Sequence, residues 1–245
     1  MKFLRNMSQR NKSVWEAEYA AHNLMRGTKP AKAFTNFVKW VRKQEMLLEG
    51  SQWLDLGSGE GKNMVYLAER GTYVLGIEIA ANAVATSRDV IRRHGLSECV
   101  EIVQGSMGVP FNMPEKSIDC IVDVTSSNSL DEQERSVYLS ECQRVLKTAG
   151  FMFVRALAKD GDNNAKRLLK DSPGPETDTY IMPEWGLTER VFSKHALIEL
   201  YAQYFDIVHL EKETHYTSFG GKKYKRNFWI MYLKTLTSKS SGSFK

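Results

Sequence analysis

Cysteine is scarce in this chain, and what there is does not pair. Cys99, Cys120 and Cys142 are odd in number and show no C-x-x-C spacing. That arithmetic speaks against a disulfide framework and against a thiolate zinc site. Cys120 falls in an apolar strand-like run and Cys142 on the apolar face of a helix-like run, so both read as small hydrophobes in a reducing compartment. The five histidines have no ligand spacing to cysteine or acidic residues, so no metal is expected. Long apolar runs are missing too: nothing approaches the roughly 20 residues that cross a bilayer. Met1 to Lys12 carries charge without an apolar core, which is not the pattern of a signal peptide. The expected location is therefore cytoplasmic, with no membrane partner. There are no internal repeats. The net charge is only +5, and part of it lies in the tails, at Lys2, Arg5, Arg10, Lys12, Lys239 and Lys245. Such a balance tolerates an anionic substrate or nucleic acid without demanding either.

The 245 residues, 42% of them hydrophobic, suit one α/β domain with decoration. Residues 1–11 are polar and expected to be loose. Lys12 to Met25 reads as a helix carrying Trp15 and Tyr19 one turn apart, broken by Gly27 and Pro30. Pro30 opens a second helix whose apolar residues Phe34, Phe37, Val38, Val41 and Leu48 follow a 3.6-residue period up to Gly50. From there strand-like and helix-like runs alternate, the rhythm of a parallel sheet covered on both faces. Helix Ala81 to His94 stops at Gly95, and helix Leu130 to Leu146 opens on a capping box, Ser129-x-x-Glu132. Residues 159–190 break the rhythm with polar and Pro/Gly-rich stretches and read as a functional or disordered insertion. Ser193 caps a helix to Tyr204. Strands Ile207 to Lys212 and Phe228 to Leu233, joined around Gly220-Gly221, complete the domain. The expected division is a helical cap over 1–49, a main domain over 50–236, and a disordered Ser/Lys-rich tail over 237–245.

The most telling segment is Asp55-Leu56-Gly57-Ser58-Gly59-Glu60-Gly61, between Trp53-Leu54 and a helix-like run from Asn63. It reads as strand, tight glycine turn, helix. Glycines there let bare backbone approach a ligand, with N–H groups at the helix start available to it. A dinucleotide fingerprint would need glycine where Lys62 stands. Tyr73-Val74-Leu75-Gly76-Ile77-Glu78 then ends in an acid at the spacing of a ribose-binding carboxylate.

The acidic-x-G-x-G-x-G pattern resembles motif I of the class I S-adenosylmethionine (SAM) dependent methyltransferases. Further elements follow in the family's order. Val100 to Met107 resembles strand three, Ile118 to Val124 strand four, and Arg144 to Val154 the "helix, Leu-Lys-x-Gly-Gly, strand" step. The resemblance covers residues 50–156 closely and runs loosely to 235. It implies a three-layer, doubly wound, mostly parallel seven-stranded sheet with an N-terminal helical cap. It also implies SAM as cofactor and S-adenosylhomocysteine as its product. In that likeness Asp55 helps hold the amino group, while Gly57, Ser58, Gly59 and Gly61 form the turn. Glu78, with Ile79 beside it, takes the ribose. Gly105, Ser106 and Met107 meet the adenine, although the family often has Asp where Ser106 stands. Val124 and Thr125 face the transferred methyl. Trp15 and Tyr19 resemble the aromatic N-terminal lid of small-molecule methyltransferases, and Arg26 is a candidate partner for the SAM carboxylate.

Arg155, at the fifth strand's end, is a candidate for binding an anionic substrate. His215, Tyr216 and Tyr19 are candidates for a base or a substrate hydrogen bond. The run Lys222-Lys223-Tyr224-Lys225-Arg226, with Phe228 and Trp229, is the best nucleic-acid footprint in the chain. The Asn/Asp-Pro-Pro-aromatic motif of enzymes that methylate base or amide nitrogens is absent, since Asp123-Val124-Thr125-Ser126 stands in its place. The expected function is methyl transfer to a small molecule. RNA or protein methylation and a non-catalytic SAM-binding scaffold are the alternatives, and a nicotinamide oxidoreductase ranks third. The sequence does not specify the oligomeric state.

Overall fold

The computed structural model describes residues 2–21, 29–219 and 222–236, with side chains described except at 2–10, 217–219 and 222–224. Strand alternation decides the architecture. Trp53, Cys120, Val122, Phe153, Ile230 and Tyr232 point to one face, while Leu54, Ile121, Met152, Val154, Met231 and Leu233 point to the other. Both sets are apolar, so both faces must be covered.

The strands are β1 (Gln52–Leu56), β2 (Tyr73–Glu78), β3 (Val100–Gln104), β4 (Ile118–Val124), β5 (Leu146–Leu157), β6 (Thr179–Ile181), β7 (Thr188–Arg190), β8 (Phe205–Phe219) and β9 (Lys222–Thr235). The helices are α1 (Lys2–Ala21), α2 (Lys32–Lys43), α3 (Lys62–Ala68), α4 (Ala81–Arg93), α5 (Glu132–Val145), α6 (Asn163–Asp171) and α7 (Lys194–Tyr201). The seven-stranded sheet runs β3-β2-β1-β4-β5-β9-β8, while β6 and β7 form a separate hairpin. Pairings from β3 to β5 are parallel, and β9 joins β5 and β8 antiparallel. Helices α2, α3, α4 and α6 contribute to the core on the first face, and α5 and α7 to that on the second. This is the three-layer doubly wound arrangement expected.

Several boundaries differ, each for a local reason. Helix α1 starts at Lys2, so residues 2–11 are helical rather than loose. Helix α2 ends at Lys43, and Leu48 lies outside it because Glu45 takes a left-handed φ of 63°. Helix α5 starts later than expected. Asp131 accepts from the Glu134 N–H while the Glu134 carboxylate accepts from the Asp131 N–H, so the box lies two residues beyond Ser129. The 159–190 segment holds α6, β6 and β7, joined by turns: Asp162 caps α6 by accepting from the Ala165 N–H at 2.9 Å, and also accepts from the Asn227 N–H of β9 at 2.8 Å. One buried carboxylate thus starts the helix and fastens it to the sheet. Ser193 caps α7 as expected, but the helix stops at Tyr201. The Gly220-Gly221 turn and the 237–245 tail lie outside the described residues.

Phe37 is the centre of the first core. Its ring meets Trp40, Trp53, Phe153 and Tyr232 with centroids 5.0–6.2 Å apart, joining α2 to β1, β5 and β9. Phe37→Ala should destabilise the protein by about 3–5 kcal/mol in denaturant unfolding. A loss below about 1 kcal/mol would mean that α2 does not anchor the sheet.

Candidate active site

The sheet's strand order reverses at β1, which pairs with β2 on one side and β4 on the other. Ligands in such sheets sit beyond the carboxyl ends of the strands at this switch point. A cavity of about 360 Å³ lies there, within the usual span of small-molecule sites. Gly57, Glu78, Ile79, Gly105, Ser106 and Met107 line one end. Val124, Thr125 and Ser126 line it from the end of β4, Arg155 from β5, Arg226 and Phe228 from β9, and Trp185 from between β6 and β7.

Gly57, Gly59 and Gly61 all have left-handed φ values, 68°, 55° and 88°. Their missing side chains are used by neighbours. A Cβ on Gly57 would lie 2.2 Å from Ser126 Oγ, one on Gly59 2.7 Å from the Tyr19 hydroxyl, and one on Gly61 2.5 Å from Ser87 Oγ. The turn's N–H groups are also largely committed within the protein. Gly57 and Ser58 donate to the Ile77 carbonyl at 2.8 and 3.2 Å, and Gly61 to the Ser58 carbonyl at 3.1 Å. Gly59 donates to Glu78 Oε2 at 2.9 Å. These four N–H groups therefore serve the protein itself, whereas the helix start expected to face a ligand begins only at Lys62. The glycines let the loop after β4, helix α1 and helix α4 close onto the turn.

Glu78 has two tasks. Its carboxylate accepts from the N–H groups of Gly59 and Ala80, both at 2.9 Å, and it also lines the cavity. Each oxygen keeps acceptor capacity for a ligand hydroxyl. Burial raises its pKa, and the backbone donors oppose that rise. Asp123 is held in the same manner at the end of β4. Its carboxylate accepts from the N–H groups of Ser126 and Ser127 at 2.9 and 3.3 Å and from the Tyr138 hydroxyl at 2.9 Å. This grip surrounds Thr125, which has a φ of 62°. A β-branched residue in that region is strained by about 1–3 kcal/mol. Asp55 differs. Burial raises its pKa to about 7, with the charges of Asp123 and Glu78 adding to the rise and the Asn63 amide opposing it. Neither of its carboxylate oxygens makes a hydrogen bond of good geometry.

Two clasps hold α1 over the cavity, a buried one at Asn11 and an exposed one at Glu16. Asn11 donates to the carbonyls of Ser129 and Thr188 at 2.8 and 3.1 Å and accepts from the Thr188 N–H at 3.0 Å. One side chain thereby joins α1, the loop after β4 and hairpin β6–β7. Glu16 accepts from the N–H groups of Ala81 and Asn82 at the start of α4, at 2.7 and 3.2 Å. Negative charge is favoured at that helix end. Between the clasps, Trp15 and Tyr19 face the cavity with ring centroids 6.1 Å apart. Burial raises the Tyr19 pKa, and the charges of Glu78, Glu60 and Asp55 add to it. That direction opposes a role for Tyr19 as a base at neutral pH.

Of the residues picked out from the sequence, Gly57, Glu78, Ile79, Gly105, Ser106, Met107, Val124, Trp15 and Tyr19 share the cavity, as do Thr125 and Arg155. Asp55, Ser58, Gly59 and Gly61 lie in or beside the turn without lining it. Ser106 Oγ accepts from the Gly108 N–H at 3.0 Å, which leaves its O–H available. Arg26 lies outside the described residues. His215 and Tyr216 sit exposed on the β8 arm away from the cavity, which corrects their candidacy as a base. The basic run is corrected in part. Arg226 turns into the cavity wall, Phe228 packs beneath Arg155, and Trp229 is buried with its indole N–H donating to the Phe192 carbonyl at 2.9 Å. Lys225 is exposed, and the side chains of Lys222 and Lys223 lie outside the described residues. Sequence reasoning missed Asn11, whose partners are more than 100 positions away, and Trp185, in the turn of a hairpin too short to announce itself. Among the described residues no cluster of His, Cys, Asp and Glu could hold a metal, and no helix is long and apolar enough to cross a membrane.

Residues 54–154 match the family described as a methyltransferase domain. A probable fatty acid methyltransferase of Mycobacterium tuberculosis is 22% identical over 153 residues, covering 62% of this chain and 34% of the relative. The chain thus spans about a third of that relative's length. Among solved structures, a SAM-dependent methyltransferase from Methanosarcina mazei is 25% identical, with a TM-score of 0.66 over 80% of this chain and 98% of that one. The 1,6-didemethyltoxoflavin-N1-methyltransferase of Burkholderia thailandensis, solved with S-adenosylhomocysteine bound, shares the fold at 15% identity. Its TM-score is 0.66, over 96% of this chain and 91% of that one. The chain thus carries a methyltransferase domain over residues 54–154 and resembles SAM-dependent methyltransferases over most of its fold, which makes SAM the cofactor to set against its site.

The residues present fit that cofactor. A buried carboxylate with both oxygens unpartnered stands behind the glycine turn, where a cationic amino group would satisfy it. Glu78 offers spare acceptor capacity to ribose hydroxyls. Glu78→Ala should weaken S-adenosylhomocysteine binding by roughly 1.5–3 kcal/mol, measured by calorimetry. Unchanged affinity would remove Glu78 from the site. Asp55 generates a pH prediction. With a folded pKa of about 7 against about 3.9 in the unfolded chain, its neutral form favours the folded state at low pH. That contribution is fully present below about pH 4 and is lost as pH rises through about 7, at up to about 1.4 kcal/mol per pH unit. In ligand-free denaturation, Asp55→Asn should therefore gain on the wild type as pH rises from 4 to 8. A difference independent of pH would contradict the buried, unpaired carboxylate.

Proposed function

We propose that this enzyme transfers the SAM methyl group to a nucleophile on a small molecule enclosed in the cavity. The observation that carries the reading is that one cavity runs from Glu78 and Gly105 to Arg155 and Phe228, with Trp15 and Tyr19 of α1 in its wall. In this reading Asp55 takes the amino group, Glu78 the ribose hydroxyls, and Ser106 and Met107 the adenine. Thr125 and Arg155 face the acceptor. When bound, SAM supplies a methyl already activated by its sulfonium charge. The chain's own residues then need to align the acceptor for in-line attack and keep water out. Alignment is worth on the order of 7–11 kcal/mol of barrier. The strained Thr125, fixed by Asp123 from one side and by its own N–H to the Arg155 carbonyl at 2.8 Å, gives the loop after β4 one geometry.

The RNA alternative loses support because Phe228 and Trp229 are buried and Arg226 faces inward. The description of the mycobacterial relative as a probable fatty acid methyltransferase is in keeping with a small acceptor. Incubating the protein with methyl-labelled SAM and a cell extract, then separating low-mass from macromolecular fractions, tests the reading. Label is expected in the low-mass fraction. Label confined to RNA or protein would contradict it.

A further inference from the structure

At the acceptor end of the cavity two guanidinium groups share one wall. Arg155 leaves β5 where its carbonyl accepts from Thr125 N–H, and Arg226 precedes Phe228, which pairs with Leu157. Their side chains are 12% and 15% exposed, yet both line the cavity. Neither is saturated. Arg155 donates Nε to Glu213 at 3.2 Å while its guanidinium carbon lies 3.4 Å from the centroid of the Phe228 ring. Arg226 donates Nη2 to the Tyr180 hydroxyl at 3.0 Å, with Glu189 at 3.7 Å. Arg226 Nε is buried without a partner. Among the described residues, no hydrogen bond engages the Nη atoms of Arg155 or Nη1 of Arg226.

Guanidinium donors taken out of water without acceptors are costly, and two like charges in one wall repel. Burial and the charge of Arg226 both act against the Arg155 cation, with Glu213 opposing them. Glu189 also lines the cavity, but it already accepts from the Tyr180 hydroxyl at 2.7 Å. Of the remaining charged groups at this end, Lys12, Arg167 and Glu184 stand exposed. Beside Asn164, an apolar surface comes from Leu168, Met182, Trp185, Leu187 and Phe228.

We propose that Arg155 and Arg226 form an anion subsite, so that the methyl acceptor is a small apolar molecule bearing a carboxylate or phosphate group. Two unsaturated planar forks match the oxygen geometry of such groups. The subsite anchors the acceptor by its charge, and the Trp185 and Phe228 side of the cavity covers its apolar body. The inference rests on the methyltransferase reading for the meaning of "acceptor", but the anion preference is measurable by itself.

The probes are 2-naphthoate and 2-naphthyl phosphate, with 2-naphthamide as the matched neutral compound. Each is titrated calorimetrically into the protein with and without saturating S-adenosylhomocysteine. At least one anionic probe should bind tenfold or more tightly than 2-naphthamide, and which one does so separates carboxylate from phosphate recognition. Arg226→Gln should erase the preference, and Arg155→Lys, which keeps the charge and loses the fork, should reduce it. Thermal melting of each variant reports folding; if one variant fails to fold, the other decides. Equal binding of all three probes, binding of none, or an unchanged preference in the folded variants overturns the anion subsite. Failure of S-adenosylhomocysteine to bind the wild type would instead overturn the methyltransferase reading, while titration without it still decides the subsite.

Discussion

Three carboxylates are buried side by side where β2, β1 and β4 end: Glu78, Asp55 and Asp123. Burying like charges together is unfavourable, and each is handled differently. Glu78 takes the N–H groups of Gly59 and Ala80, which fixes the glycine turn against the end of β2. Asp123 takes those of Ser126 and Ser127 and the Tyr138 hydroxyl, which fixes the loop after β4. Asp55, between them, is left with two unpartnered oxygens. The turn, the loop and the cavity they border depend on this row. A cationic ligand is the natural complement to its central member.

The parts of this arrangement that follow local rules were legible in the sequence. The β-rich run Tyr73–Glu78 and the segment Ile118–Val124, read by its resemblance to the family's fourth strand, are strands at the limits marked in the sequence. The glycine turn and the acid at the end of β2 marked the cofactor end of the cavity. What escaped depends on distant partners. The capping box was misplaced by two residues because Ser129 and Asp131 both carry suitable acceptors, and only tertiary placement chooses between them. The 159–190 segment read as functional or disordered because its helix is short and rests on Asp162, whose second partner, the Asn227 N–H, comes from β9. The inward turn of Arg226 was invisible for the same reason: its partners, Tyr180 and Glu189, belong to hairpin β6–β7.

Enclosure of the acceptor thus comes from segments outside the alternating core. Helix α1 is fixed by Asn11 and Glu16, and hairpin β6–β7 by Asn11 and Arg226. These contacts are polar, and Tyr180 of β6 adds packing into the first of the two apolar cores on which the sheet rests. A sheet with an apolar core on each face thus carries a cover fastened in part by a few side-chain hydrogen bonds. On the proposed reading, selectivity for the acceptor resides in the cover, at the Arg155 end of β5 and in the Arg226 to Phe228 stretch of β9.

The most direct measurement concerns the proton on Asp55. If the cationic end of the cofactor satisfies that carboxylate, binding must drive off whatever proton it holds. Calorimetric titration of S-adenosylhomocysteine at pH 7, repeated in buffers of different ionisation enthalpy, counts protons released. With a pKa of about 7, on the order of half a proton should be released per ligand bound, and Asp55→Asn should abolish the release. A binding enthalpy that does not depend on the buffer, or a release unchanged in Asp55→Asn, would contradict the placement of Asp55 at the cofactor's amino group.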